Sequence, residues 1–165
     1  MAHVLRLMYL MLPAYLANMA PPFTRHWTGW NRPISKKWFG DHKTIVGFCS
    51  GLIVAMAVVF IQSRINCREE LLPYDRWPLL GLAFGFGAMG GDSMKSFVKR
   101  RNGIAPGRPW IPMDQLDFVI GSLLIILPFA NVTVLDVAII LAISFVGDIV
   151  INHLSYALGI RDTRW

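Results

Sequence analysis

Twenty-eight residues, Gly90 to Asp117, hold most of the groups in this chain that could do chemistry: GGDSMKSFVKRRNGIAPGRPWIPMDQLD. Three carboxylates (Asp92, Asp114, Asp117), five cations (Lys95, Lys99, Arg100, Arg101, Arg108) and two hydroxyls (Ser93, Ser96) fall inside it. Acids stand at both ends and bases between them. Hard divalent cations take oxygen ligands, and phosphates take Lys and Arg, so this order suits a metal ion with a phosphorylated ligand. If the basic run is helical, Lys95/Lys99 and Ser96/Arg100 each share a face at a spacing of four. A juxtamembrane basic cluster touching anionic lipid would explain the cations but not the flanking acids.

The elements that must position these groups are apolar. The chain is 55% hydrophobic with a mean hydropathy of +0.48, above what a soluble domain of this size tolerates. At 165 residues it reads as one domain, 1–165. The apolar residues fall into blocks: Leu7 to Thr24, Thr44 to Ile61, Trp77 to Met89, Phe118 to Leu135 and Val137 to Leu158. The fourth holds Pro128, so its helix is expected to end near Phe129, and Pro13 is a candidate kink in the first. A secretory signal would begin much like the first block, but Ala17 to Pro22 fits the small-x-small cleavage pattern poorly. These blocks predict an all-α, polytopic membrane protein with five transmembrane helices.

Net charge is +6, which could suit nucleic acid. The charges lie in loops beside apolar spans, however, so phosphate is the expected partner, as lipid headgroup or nucleotide, and nucleic acid is not. Twelve Lys/Arg fall on one face: Arg25, Arg32, Lys36, Lys37, Lys43, then Lys95, Lys99, Arg100, Arg101, Arg108, then Arg161 and Arg164. Only Arg6, Arg64, Arg68 and Arg76 fall on the other. Positive charge stays cytoplasmic, which puts the N-terminus outside, the C-terminus inside and the polar stretch in the cytoplasm of a plasma-membrane protein. Trp27, Trp30 and Trp38 place the first basic loop at headgroup level.

Gly47/Gly51, Gly81/Gly85 and Gly87/Gly91 have the spacing that lets helices approach closely in lipid, within the chain or in a homodimer. Gly90-Gly91 leads straight into Asp92, where it is expected to end the third helix and bend the backbone toward a bound ion. In the last block Ser144, Asp148, Asn152 and Tyr156 recur every four residues, so one face of that helix is polar and should turn inward. Asp148 is either a satisfied interhelical hydrogen bond or part of a site. Cys49 and Cys67 are too far apart to pair if the span between them is helical.

Gly91-Asp92, Ser96, Lys99-Arg100, Gly103-Ile104 and Asp114-x-x-Asp117, in that order, resemble the signature of the phosphatidate cytidylyltransferases. The resemblance is greatest to their short archaeal-type relatives, the CDP-archaeol synthases. It extends to Leu12-Pro-Ala-Tyr-x-x-Asn18, Gly40-Asp-x-Lys-Thr-x-x-Gly47, Asp114-Gln-Leu-Asp-Phe118 and Tyr156-x-Leu-Gly-Ile-x-Asp162, nearly the whole chain. The Lys-Asp and His-Gly-Gly elements of the larger bacterial enzymes are missing, and Gln115 stands where they have Arg, which favours the short subfamily.

The resemblance implies an Mg²⁺-dependent enzyme, with room for a second cation, that joins CTP to a lipid phosphate in the membrane and releases pyrophosphate. It implies that Asp92 and Asp114 hold metal, with Asp117 as a ligand or just behind, and that Lys95, Ser96, Lys99 and Arg100 hold phosphates. Lys43, Thr44 and Asn18 are then expected on the CTP side. Two other classes compete. A small transporter or lipid-binding protein would use Asp148 and the polar stretch as an ion path, but its usual internal repeat is missing. A CDP-alcohol phosphotransferase would carry several acids on adjacent helical turns, and this chain does not.

Overall fold

The computed structural model describes residues 1–24, 31–65, 71–105 and 108–159. Expectations placed on Arg25, Trp27, Trp30, Cys67, Arg68, Asp162, Arg161 and Arg164 lie outside the described residues. Among the described residues are five long α-helices and one short one: α1 (Ala2–Thr24), α2 (Lys36–Phe39), α3 (Ile45–Arg64), α4 (Trp77–Arg101), α5 (Met113–Ile126) and α6 (Val134–Ala157). Among the described residues, α3 and α6 are long and apolar enough to cross a membrane by length and composition. Large apolar side chains such as Ile53, Phe86, Leu124, Val146, Val150 and Leu154 are exposed, as helices facing lipid require.

α2 buries no residue, while α1 and α3 each bury a stripe. On α1 it is Leu7, Leu10, Met11, Ala14 and Ala17, and on α3 Gly47, Gly51, Ala55, Val59 and Gln62, nearly every fourth residue. Pro13 lacks the N–H that would bond the carbonyl of Tyr9. Gln62 Nε2 crosses from α3 to donate to that carbonyl at 2.7 Å, so the bond lost within α1 becomes a tie between α1 and α3. The polar stripe of α6 turns inward at Ser144 and Asn152, whereas its last member, Tyr156, is exposed. Ser144 and Asn152 are buried, and Ser144 Oγ shares a hydrogen bond with Tyr15 OH on α1 at 2.7 Å. Asp148 accepts from Asn152 Nδ2 on its own helix at 2.7 Å. At the other end of the same seam, His3 Nε2 lies 2.6 Å from Asp136 Oδ1, beside the capping box that starts α6.

Two expectations need correction. The third helix does not stop at Gly90-Gly91: α4 runs through both to Arg101, 25 residues in all. Gly91 instead serves packing. A methyl there would lie 2.2 Å from the Asp117 carbonyl oxygen of α5, and one at Gly121 2.2 Å from the Gly87 carbonyl oxygen. With side chains absent at these points, the α4 and α5 backbones touch. The other spaced glycines are used the same way, Gly47 against Pro21, Gly51 against Met89, Gly81 against Met56 and Gly85 against Leu52. A homodimer through these glycines therefore loses its basis, because their faces are consumed inside the chain.

Candidate active site

Because α4 continues past its apolar half, it carries Asp92, Lys95, Ser96, Lys99 and Arg100 on the turns beyond the glycine contact. The start of α5 lies alongside and brings Asp114 and Asp117 to the same level. The chain before α3 folds back over these turns. Ile34 N bonds Lys43 O at 2.8 Å and Ile45 N bonds Arg32 O at 3.0 Å, closing a loop whose tip is α2. Trp38 and Phe39 from that tip stack near Phe97 of α4, with ring centroids 5.6 and 6.5 Å away. This docking carries Lys43 onto Asp92, with which its ammonium forms a close ion pair. Three elements thus meet at one point.

Lys95 is at the centre. Its Nζ lies 2.6 Å from Asp117 Oδ2, 3.2 Å from Asp92 Oδ1 and 3.4 Å from Asp114 Oδ1. Lys99 closes one side: its Nζ donates to both Asp114 oxygens, at 3.0 and 2.9 Å, and to the Arg108 carbonyl at 2.6 Å. Asp114 Oδ2 also accepts from Trp110 N at 2.6 Å, so this carboxylate is fixed from three directions. Asp117, 8% exposed, accepts from Phe118 N through Oδ1 at 2.6 Å. Three acids face three ammoniums, Lys43, Lys95 and Lys99. The cluster is near neutral, which lets it sit where little water reaches.

The predicted site residues divide accordingly. Asp92, Asp114, Asp117, Lys43, Lys95 and Lys99 come together. Ser96 is beside them, but its hydroxyl donates to the Asp92 carbonyl at 3.0 Å, one turn back on its own helix, so it does not point at a phosphate. Thr44 caps α3, its Oγ1 accepting from Gly47 N at 3.1 Å, while also lining a cleft with Lys43, Asp92, Ser93 and His42. Arg100 Nη1 donates to the Ile104 carbonyl at 2.6 Å, and its Nε is buried without a hydrogen-bond partner among the described residues. Asn18 is apart from the rest. It lines a second cavity, with Asp148, Asn152 and Ser155, on the opposite side of the last turns of α1 from the Pro21 face that borders the first cleft.

Sequence reasoning missed His42, the Phe97 platform and the two backbone groups, Trp110 N and Arg108 O, that fix Asp114 and Lys99. Only His42 left a signal, its place next to Lys43. The others depend on how the loop folds back.

Among the described residues, no three His, Cys, Asp or Glu side chains stand at metal-ligand spacing; the Lys95 ammonium lies between the acids. The donor set still fits a hard divalent cation. Its three carboxylates are the oxygen ligands such an ion takes, gathered here around the Lys95 ammonium. Asp117 Oδ2 is buried with no hydrogen bond of good angle despite its contact with Lys95.

The CarS-like family profile, described as CDP-archaeol synthase, matches residues 1–165. The CDP-archaeol synthase of Methanococcus aeolicus is 34% identical over 93% of this chain and 92% of its own length. That of Methanospirillum hungatei is 33% identical over 94% and 100%, and that of Saccharolobus islandicus 33% over 93% and 92%. A solved structure described as an intramembrane enzyme for archaeal membrane lipids biosynthesis is 30% identical, with a TM-score of 0.73 over 94% of each chain.

Proposed function

The chain belongs to the CarS-like CDP-archaeol synthase family, and from that premise we propose that it transfers a cytidylyl group from CTP to the phosphate of an ether-linked isoprenoid membrane lipid, with Mg²⁺. One observation carries the placement of this chemistry: two helices and a folded-back loop bring Asp92, Asp114, Asp117, Lys43, Lys95 and Lys99 to one point at the end of the apolar bundle.

The reaction forms a bond between a lipid phosphate oxygen and the α-phosphorus of CTP. It breaks the bond from that phosphorus to the bridging oxygen of the β-phosphate, and pyrophosphate leaves. A phosphate monoester has a second pKa of about 6, so it is largely dianionic at pH 7 and needs no general base. The barrier lies in bringing two polyanions together and in the charge on the departing pyrophosphate. Asp92 and Asp114, with Asp117 behind them, would hold Mg²⁺, which supplies neutralisation of phosphate charge. Lys43, which lines the cleft at the start of α3 and pairs with Asp92, would meet the triphosphate. Arg100 is the cation of the basic run whose guanidinium keeps an unmatched N–H. Phe97, Trp38 and Phe39 hold the loop over these groups. The five long helices are read as five membrane crossings, with the N-terminus outside and this end of the bundle in the cytoplasm.

The test is direct. Purified protein is given labelled CTP, Mg²⁺ and, in turn, an ether-linked isoprenoid lipid phosphate and phosphatidate. CDP-lipid and pyrophosphate should form in equal amounts with the ether lipid, and EDTA should stop the reaction. No CDP-lipid from any lipid phosphate would sink the assignment, and preference for phosphatidate would overturn the substrate.

A further inference from the structure

We propose that Lys95 is the resident cation of the carboxylate centre: rather than gripping a phosphate, its ammonium holds Asp92, Asp114 and Asp117 to one point. This rests on the cytidylyl-transfer reading for what the centre does, though not for the role of Lys95. An ammonium has three N–H donors and no acceptor. Here three carboxylates from two helices lie within 3.4 Å of Nζ, so its charge is already matched inside the protein. Lys43 and Lys99 stand at the edges and each pairs with one acid, Asp92 and Asp114 respectively. Lys95 touches all three. It is also the one cation paired with Asp117 among the described residues. Without it, three carboxylates would face two edge ammoniums, and the most buried acid would face none. An unpaired buried charge is costly, so the α4–α5 contact would loosen at the site.

A phosphate ligand and a resident cation predict different things. If Lys95 neutralises the acids, a small free cation should replace it in the space its removal leaves. In choline buffer, Lys95→Ala should melt on the order of 10 °C below the wild type. Potassium or ammonium should restore most of that loss with a saturable dose dependence, while the wild-type melting point stays flat over the same titration. Where Lys95→Ala yields no folded protein, the charge-matched Lys95→Met/Asp117→Asn takes its place and should fold. Three results would overturn the proposal: wild-type melting in Lys95→Ala with only CTP affinity lost, a melting loss that no small cation recovers, or a charge-matched pair that does not fold. If Lys95→Ala shows the cation-restored melting while the wild type makes no CDP-lipid, the role of Lys95 stands and the cytidylyl reading falls.

Discussion

Lys99 and Arg100 are neighbours in sequence, and their side chains are held in different ways. Lys99 is 7% exposed and ties Asp114 to the Arg108 carbonyl. Arg100 makes one bond to a carbonyl four residues on and keeps its Nε unmatched. Breaking a buried ion pair from one side costs about 3–5 kcal/mol, so Lys99→Ala should lower the melting point together with turnover. Arg100→Ala should leave melting near the wild type and lose turnover at least tenfold. Thermal unfolding run beside the CTP assay separates the two, and equal melting losses would remove the distinction. Asp92→Asn should abolish CDP-lipid formation and be rescued poorly by excess Mg²⁺, since the remaining amide oxygen is a weaker ligand. Near-normal turnover in that variant would remove Asp92 from the centre. For Asn18, which lines the other cavity, Asn18→Ala should leave the KM for CTP unchanged.

At the scale of elements, the contact between α4 and α5 decides whether the acids meet. Gly90 and Gly91 are adjacent, yet a methyl at Gly90 would meet nothing within 4 Å, while one at Gly91 would enter the Asp117 backbone. Gly90→Ala should therefore be neutral or stabilise by roughly 0.5–1 kcal/mol through helix propensity alone. Gly91→Ala should push α5 away, separate Asp117 from Lys95 and abolish turnover. Melting and activity of the two variants check this together, and a fully active Gly91→Ala would show that the close approach is not needed. The four-residue spacing was legible in the sequence. Which neighbour each glycine meets was not, because spacing marks a face and leaves its partner open.

For the whole molecule, the five apolar blocks correspond to the five long helices, with α4 extended and the start of α5 moved forward to Met113, and among the described residues α3 and α6 are long and apolar enough to cross a membrane. The twelve-to-four asymmetry of Lys/Arg argues that the site end of the bundle is cytoplasmic. Reporter fusions in the loop between α3 and α4 and after α6 should fall on opposite sides of the membrane, with the second inside. Finding both on one side would remove a crossing.

Composition and order alone determined the all-helical, membrane-embedded character of this protein, the inward face of α6 and the polar stretch that carries its chemistry, since periodicity and charge are local properties of a chain. Side-chain type also marked the acids and bases of the site. What each base does was decided only in three dimensions. Lys95 sits among carboxylates because α5 returns beside α4, Ser96 and Thr44 bond nearby backbone because helical geometry puts a carbonyl or an N–H within reach, and Asn18 faces another cavity because α1 stands between the two. Hydrogen bonds and ion pairs go to whichever partner the packing brings within about 3 Å, and that distance is set by contacts between residues far apart in the chain.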